Sequence, residues 1–119
     1  MKKTMVLGAT PNPERYAYLA TIRLAQYSHE VVPVGVRAGE IEGIPILVGK
    51  PDLEAVDTVT LYLGAARQPE YYDYILSLQP KRIIFNPGTE NAELRQLAYA
   101  AGIETVEGCT LVMLSLGSY

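Results

Sequence analysis

The stretch Thr4-Met5-Val6-Leu7-Gly8-Ala9-Thr10-Pro11-Asn12-Pro13-Glu14-Arg15 decides how the chain is read. Its first half is a short apolar, partly β-branched run closed by glycine, the pattern of a strand buried on both faces of a parallel sheet. Beyond it Leu19, Ile22 and Ala25 or Gln26 recur at helical spacing without a breaker, which predicts a helix from Glu14 to about Tyr27. Strand, tight turn and helix together open a βαβ unit. In the turn, Gly8 lets the backbone approach closely, Asn12 is placed to cap the helix, and Pro13 suits a first helical position whose N–H is unpaired anyway.

The same reading extends outward. Glu30-Val31-Val32-Pro33-Val34 is a second strand that stops near Val34, with Pro33 at the end of the paired segment, where no ladder donor is needed. Glycines interrupt residues 35–50, which read as a loop with one extended piece, Ile46 to Val48. Pro51 to Glu54 reads as a single helical turn. Asp57 to Leu63 is β-branched, aromatic and long enough for a third, central strand. Pro69 opens a helix carrying Tyr71, Ile75 and Leu78 on one face, and Pro80 stops it. Arg82 to Asn86 is the fourth strand. Asn91 caps a helix through Ala101 that ends at Gly102, Glu104 to Val106 is a fifth strand, and an apolar tail runs from Thr110 to Tyr119.

Strands alternating with helices demand right-handed crossovers and a sheet covered on both faces. The expected architecture is a Rossmann-like, three-layer α/β fold with a five-stranded parallel sheet in the order 3-2-1-4-5. Its 119 residues fall in the range of roughly 100 to 150 where single domains cluster, and no repeat or linker divides them, so residues 1–119 read as one domain. A net charge of −3, with 49% hydrophobic and 19% charged residues, argues against nucleic acid or an anionic membrane as partner. The single cysteine, Cys109, and the short apolar run after Lys2-Lys3 favour a cytoplasmic location over secretion.

In such sheets ligands bind beyond the carboxyl ends of the strands, where the strand order reverses. Four loops therefore matter. In the first, free N–H groups at the helix start, the Thr10 hydroxyl and the Arg15 guanidinium suit a phosphate, with Gly8 and Ala9 giving backbone access. The full G-x-G-x-x-G pattern is absent, so a plain capped helix start remains the other reading. The second loop, Val34-Gly35-Val36-Arg37, has a basic residue where NAD-binding sheets place an acid for the ribose diol. Arg37 then suits a phosphorylated ribose, NADP at the 2′ or coenzyme A at the 3′ position; a solvated surface arginine is the alternative. After strand three, Tyr62 can pack on adenine or pantetheine or simply complete the core, and Leu63 offers backbone. Pro87 and Gly88, after strand four, are turn residues with the same access.

The chain resembles the family of small bacterial CoA-binding domain proteins, similar to the CoA-binding domain of the succinyl-CoA synthetase alpha subunit. The resemblance rests on Gly8 through Tyr16, His29-Glu30-Val31-Val32-Pro33-Val34, Ile41-Glu42-Gly43, Asp57-Thr58-Val59, Asn86-Pro87-Gly88-Thr89-Glu90-Asn91, Ala101-Gly102-Ile103 and Glu107-Gly108-Cys109, and so spans nearly the whole chain. It implies coenzyme A or an acyl-CoA as ligand, with phosphate at the first turn and the adenosine end at the second loop. It implies no reaction. Gly35-Val36-Arg37 and Leu63-Gly64-Ala65 depart from the family pattern.

No catalytic set is legible. His29 precedes strand two and so belongs at the end of the sheet opposite the ligand crevice, and one histidine with one cysteine cannot make a usual zinc site. Cys109 follows strand five, where it can face the crevice rim or be inert and buried. Tyr72 and Tyr74 are expected to be exposed or to serve a homodimer contact. These observations favour a non-catalytic coenzyme A-binding module over the rivals, an NADP-dependent reductase or a subunit of an acyl-CoA-handling complex.

Overall fold

Every residue of β1 (Thr4–Leu7), β5 (Thr58–Leu61) and β6 (Arg82–Phe85) is buried, because these strands lie in the middle of a sheet that helices cover on both faces. The computed structural model describes residues 1–119. Four more strands complete the sheet, β2 (Val31–Gly35), β3 (Gly39–Ile41), β4 (Ile44–Val48) and β7 (Glu104–Glu107), in the order β3-β4-β2-β1-β5-β6-β7. All pairings are parallel except β3 with β4. Alternation along β1 divides the core. Val6 packs in one layer with Leu24 of α1 (Tyr16–Gln26) and Leu114 of α4 (Thr110–Leu116), while Met5 and Leu7 meet Ile75 of α2 (Tyr72–Ser77) and Leu94 of α3 (Ala92–Ala100) in the other. No helix is long and apolar enough to cross a membrane.

The sheet differs from the expected one in number and order. Residues 35–50 hold more than one extended piece: Ile46 to Val48 belongs to β4, which forms a hairpin with β3, joined at Glu42-Gly43 with φ values of 46° and 84°. Two successive left-handed residues give a turn whose twist matches the strands, and that local chemistry was available in the sequence. Strand β4 then pairs in parallel with β2. The strand at Thr58–Leu61 does not lie outside β2 but pairs directly with β1, Thr4 opposite Thr58 and Leu7 opposite Leu61. Counting parallel strands alone, β4-β2-β1-β5-β6-β7 reads 3-2-1-4-5-6, the doubly wound order. A third strand does flank β2, but β4 supplies it. Pro33 lies within β2, opposite Val6, and is tolerated because β4 pairs only at Val34 and Gly35.

Other expectations meet the structure element by element. Asn91 caps α3, its Oδ1 accepting from the N–H groups of Glu93 at 3.0 Å and Leu94 at 3.2 Å, and the chain leaves through Gly102 at φ 76°. Pro69 begins a 3-10 turn, Pro69–Tyr71, that leads into α2 and buries Tyr71 and Ile75. Pro51 to Glu54 forms no helical turn. The apolar tail folds back as α4 beside α1, because Leu114 completes the layer around Val6. Tyr72 and Tyr74 are half-buried and bonded within the chain: one hydroxyl donates to Glu93 at 2.9 Å, the other to the Pro51 carbonyl at 2.6 Å.

At the amino ends of the strands, His29 Nδ1 accepts the Lys2 N–H at 2.9 Å, and its ring lies 4.8 Å from that of Tyr119. Burial, then the charges of the N-terminus, Lys2 and Arg82, hold the imidazole below its ordinary value of 6.5. A depressed folded value means the unfolded chain binds the proton more tightly. The contribution of His29 to stability is therefore complete above about pH 6.5 and is lost as pH falls through the lower folded value. Urea titrations between pH 4 and 8 are expected to show this slope in the wild type and a flatter one in His29→Gln.

Candidate functional site

The first turn is held by its own backbone. Gly8 and Ala9 both donate N–H bonds to the Val34 carbonyl, at 3.0 Å each, so the loop after β1 is pinned to the end of β2. Gly8 sits at φ +100°, and a Cβ there would stand 2.9 Å from the Tyr62 carbonyl carbon. At Gly35 a Cβ would lie 2.2 Å from the Ala9 carbonyl oxygen. Two glycines thus allow three loops to meet.

Around that junction the carboxyl ends of β1, β2, β5 and β6 open into a cleft of about 560 Å³. Gly8, Ala9, Thr10 and Arg15 line it from the first loop, Gly35 and Arg37 from the second, Tyr62 and Leu63 from the third, and Pro87 and Gly88 from the fourth. Two candidates lie elsewhere. Val34 is fully buried beneath the cleft and acts through its carbonyl. Asn12 does not cap α1: its Oδ1 accepts the Glu14 N–H at 3.0 Å, two residues on, and the helix begins only at Tyr16. Pro13 is accordingly not the first helical residue; Arg15 takes the N-cap position, with no side-chain cap bond. The first-turn N–H groups of α1 are left without a side-chain acceptor.

Charge in the cleft is one-sided. Arg15, Arg37 and Arg67 line it, with Glu14 as the carboxylate on its wall. The chain's ion pairs, Lys3 with Glu30 and Arg95 with Glu107, involve none of these arginines. Three arginines without ion pairs therefore line one opening in a chain of net charge −3. Arg67 was not among the candidates, nor were Val36, Gly64, Tyr71 and Thr89, which also line the cleft. The signal was present for Arg67: it follows the end of β5 much as Arg15 and Arg37 follow β1 and β2.

Buried amides beneath the cleft tie its loops together. Asn86, 2% exposed, donates from Nδ2 to Thr60 Oγ1 at 2.7 Å and to the Leu61 carbonyl at 2.9 Å, while its Oδ1 accepts the Thr110 N–H at 2.8 Å. One side chain joins β5, β6 and the start of α4. Read from the sequence as the last residue of the fourth strand, Asn86 is a structural cross-link. Cys109 takes the N-cap position of α4 and does not line the cleft, whereas Tyr62 is among the lining residues, packs against the layer around Val6 and buries its hydroxyl without a hydrogen-bond partner. Burial pushes that phenol well above its ordinary range. His29 stands at the opposite end of the sheet, beside Lys2.

A doubly wound sheet with a cleft at its strand-order reversal defines the Rossmann-like class of α/β domains. Within that class, the family described as CoA binding domain matches residues 2–115, and the chain belongs to it. A crystal structure of an uncharacterized protein is 57% identical over all of this chain and 98% of that one, with a TM-score of 0.98. A hypothetical protein from Pyrococcus horikoshii OT3 is 25% identical over 97% of this chain and 82% of its own, with a TM-score of 0.88. A conserved hypothetical protein from Pyrococcus furiosus is 25% identical over 94% and 98%, with a TM-score of 0.82. The comparison with curated proteins finds no match.

Two substitutions probe this construction. Gly35→Ala must push the first loop away from β2, and a loss of about 1–3 kcal/mol in urea denaturation is expected. Asn86→Leu leaves the Thr110 N–H and the Leu61 carbonyl without partners in the core; a loss of about 2–4 kcal/mol is expected by the same measurement.

Proposed function

We propose that the cleft binds coenzyme A or an acyl-CoA and that the chain is a binding module rather than a catalyst. The observation that carries this reading is the set of three arginines without ion pairs around one cleft in a member of the CoA-binding domain family. Coenzyme A carries a diphosphate and a ribose 3′-phosphate on one half and an uncharged pantetheine arm on the other. The diphosphate suits the open N-terminus of α1, the Thr10 hydroxyl and Arg15. The 3′-phosphate suits Arg37 on the neighbouring loop, and the arm can run past Tyr62, Leu63, Pro87 and Gly88, whose loops offer backbone and apolar surface. No histidine or cysteine lines the cleft.

Thermal-shift and calorimetric titrations with coenzyme A, 3′-dephospho-coenzyme A, NADP and ATP test the reading. Coenzyme A at 100 times its Kd is expected to add about 2.7 kcal/mol of stability. Loss of the 3′-phosphate, or Arg37→Ala, is expected to cost about 1.5–3 kcal/mol, and the double change no more than either alone. Stabilisation by NADP but not by coenzyme A would overturn it.

A further inference from the structure

On one side the sheet ends at β7, whose only neighbour is β6. Glu104 and Gly108 donate their N–H groups to the Lys81 and Phe85 carbonyls, at 3.1 Å each. Backbone alternation turns Val106 the same way, so the N–H and C=O groups of Thr105 and Glu107 point out of the sheet. An open edge of this kind is a template for another strand. Both helices beside it carry exposed apolar side chains. On the α3 face, Arg95, Gln96 and Tyr99 form a groove of about 340 Å³ with Ile103 and Thr105, and Tyr99 is 85% exposed. On the other face, a Cβ at Gly108 would touch Val106 Cγ1 at 3.6 Å and Met113 Sδ at 3.8 Å, so α4 meets the edge at Met113. Leu116, one turn on from Met113, and Val112, one turn before Leu116, are 74% and 51% exposed. Residues 108–119 include no charged side chain. We infer that this edge joins a second copy of the chain, β7 pairing antiparallel with β7 about a twofold axis at Thr105. No residue of β7 lines the ligand cleft, so the contact leaves that cleft open.

Charge and backbone chemistry select this occupant and its register. Ile103, Thr105 and Glu107 place their side chains on the α3 face, Glu104 and Val106 on the α4 face. With Thr105 opposite Thr105, Glu107 falls opposite the second copy's Ile103 and Glu104 opposite its Val106, so acids face apolar side chains. Sliding by one residue would set Glu104 against Glu107 on both sides of the axis. Glu107 keeps Arg95 of its own chain at 3.5 Å, while the Tyr99 that flanks Ile103 comes toward the same carboxylate from across the axis. The outward N–H of Thr105 meets the Thr105 carbonyl of the second copy, and that of Glu107 meets the Ile103 carbonyl. The N–H of Ile103 is already spent on the Ala98 carbonyl at 2.9 Å, so no donor on the edge is left over. On the α4 face the uncharged strips of the two copies lie side by side, and burying them is favourable only against a surface equally free of charge.

Sedimentation equilibrium of the full chain between about 1 µM and 1 mM, the range in which a short edge contact associates, tests the contact without any ligand. A reversible monomer–dimer equilibrium is expected. Leu116→Lys and Tyr99→Ala, at exposed positions, should each raise the dimer Kd about tenfold or more while keeping the wild-type circular-dichroism spectrum and melting curve at the lowest concentration. Hydrogen exchange read by NMR supplies the register: the Thr105 and Glu107 amides should slow as the wild-type concentration rises, and should stay fast in both variants. A chain that remains monomeric throughout the range overturns the inference. A dimer that neither substitution weakens, with Thr105 and Glu107 still exchanging fast, overturns it too, because the copies then meet elsewhere.

Discussion

The carbonyl of Val34 is the hinge of this molecule. It accepts the N–H groups of both Gly8 and Ala9, so the chain must turn out of the sheet at the point where β1 and β2 end together. That turn brings the Ala9 carbonyl against Gly35 and Gly8 against the backbone of Tyr62, contacts that no Cβ would permit. Once three loops share this junction, the N-terminus of α1 faces the space beyond the strand ends. An electropositive helix start and two adjacent arginine-bearing loops then follow from backbone packing alone.

The floor of the cleft depends on a second device, the buried carboxamide. Asn86 and Gln68 each spend their donors and acceptor on groups from different elements. In a low-dielectric interior a satisfied amide of this kind fixes geometry, because every alternative arrangement leaves a buried polar group unpaired. The loops after β5 and β6 meet over these amides, with Leu63 of the first packed into the core. Their separation is set by these amides, and with it the width of the cleft where Arg67 stands.

Rigid walls and exposed charge divide the labour. The central strands are buried throughout and supply a fixed edge, while the arginines reach from loops into solvent, where an ion pair with a ligand costs little reorganisation. The amino-end cluster of Lys2, His29, Arg82 and Tyr119 lies at the other end of the sheet and contributes to stability rather than to the cleft.

Much of this was legible in the residues. Apolar runs marked the strands of the parallel core, Asn91 and Gly102 bounded α3, and the basic residues after β1 and β2 marked two of the loops that line the cleft, because period, caps and turn residues act within a few positions of chain. The hairpin of β3 and β4 was missed, although Glu42-Gly43 carries its turn, because short strands interrupted by glycine and proline have weak periodicity. The neighbour of β1, the helix formed by the tail, the displacement of Asn12 from the cap and the roles of Gln68 and Asn86 were decided only in three dimensions. Each depends on which distant backbone group happens to need a partner or a covering side chain, and no local pattern encodes that. The chain's own order of residues thus determined the class of fold and the sign of its cleft, while tertiary packing decided which strand lies beside which and which side chains reach the ligand space.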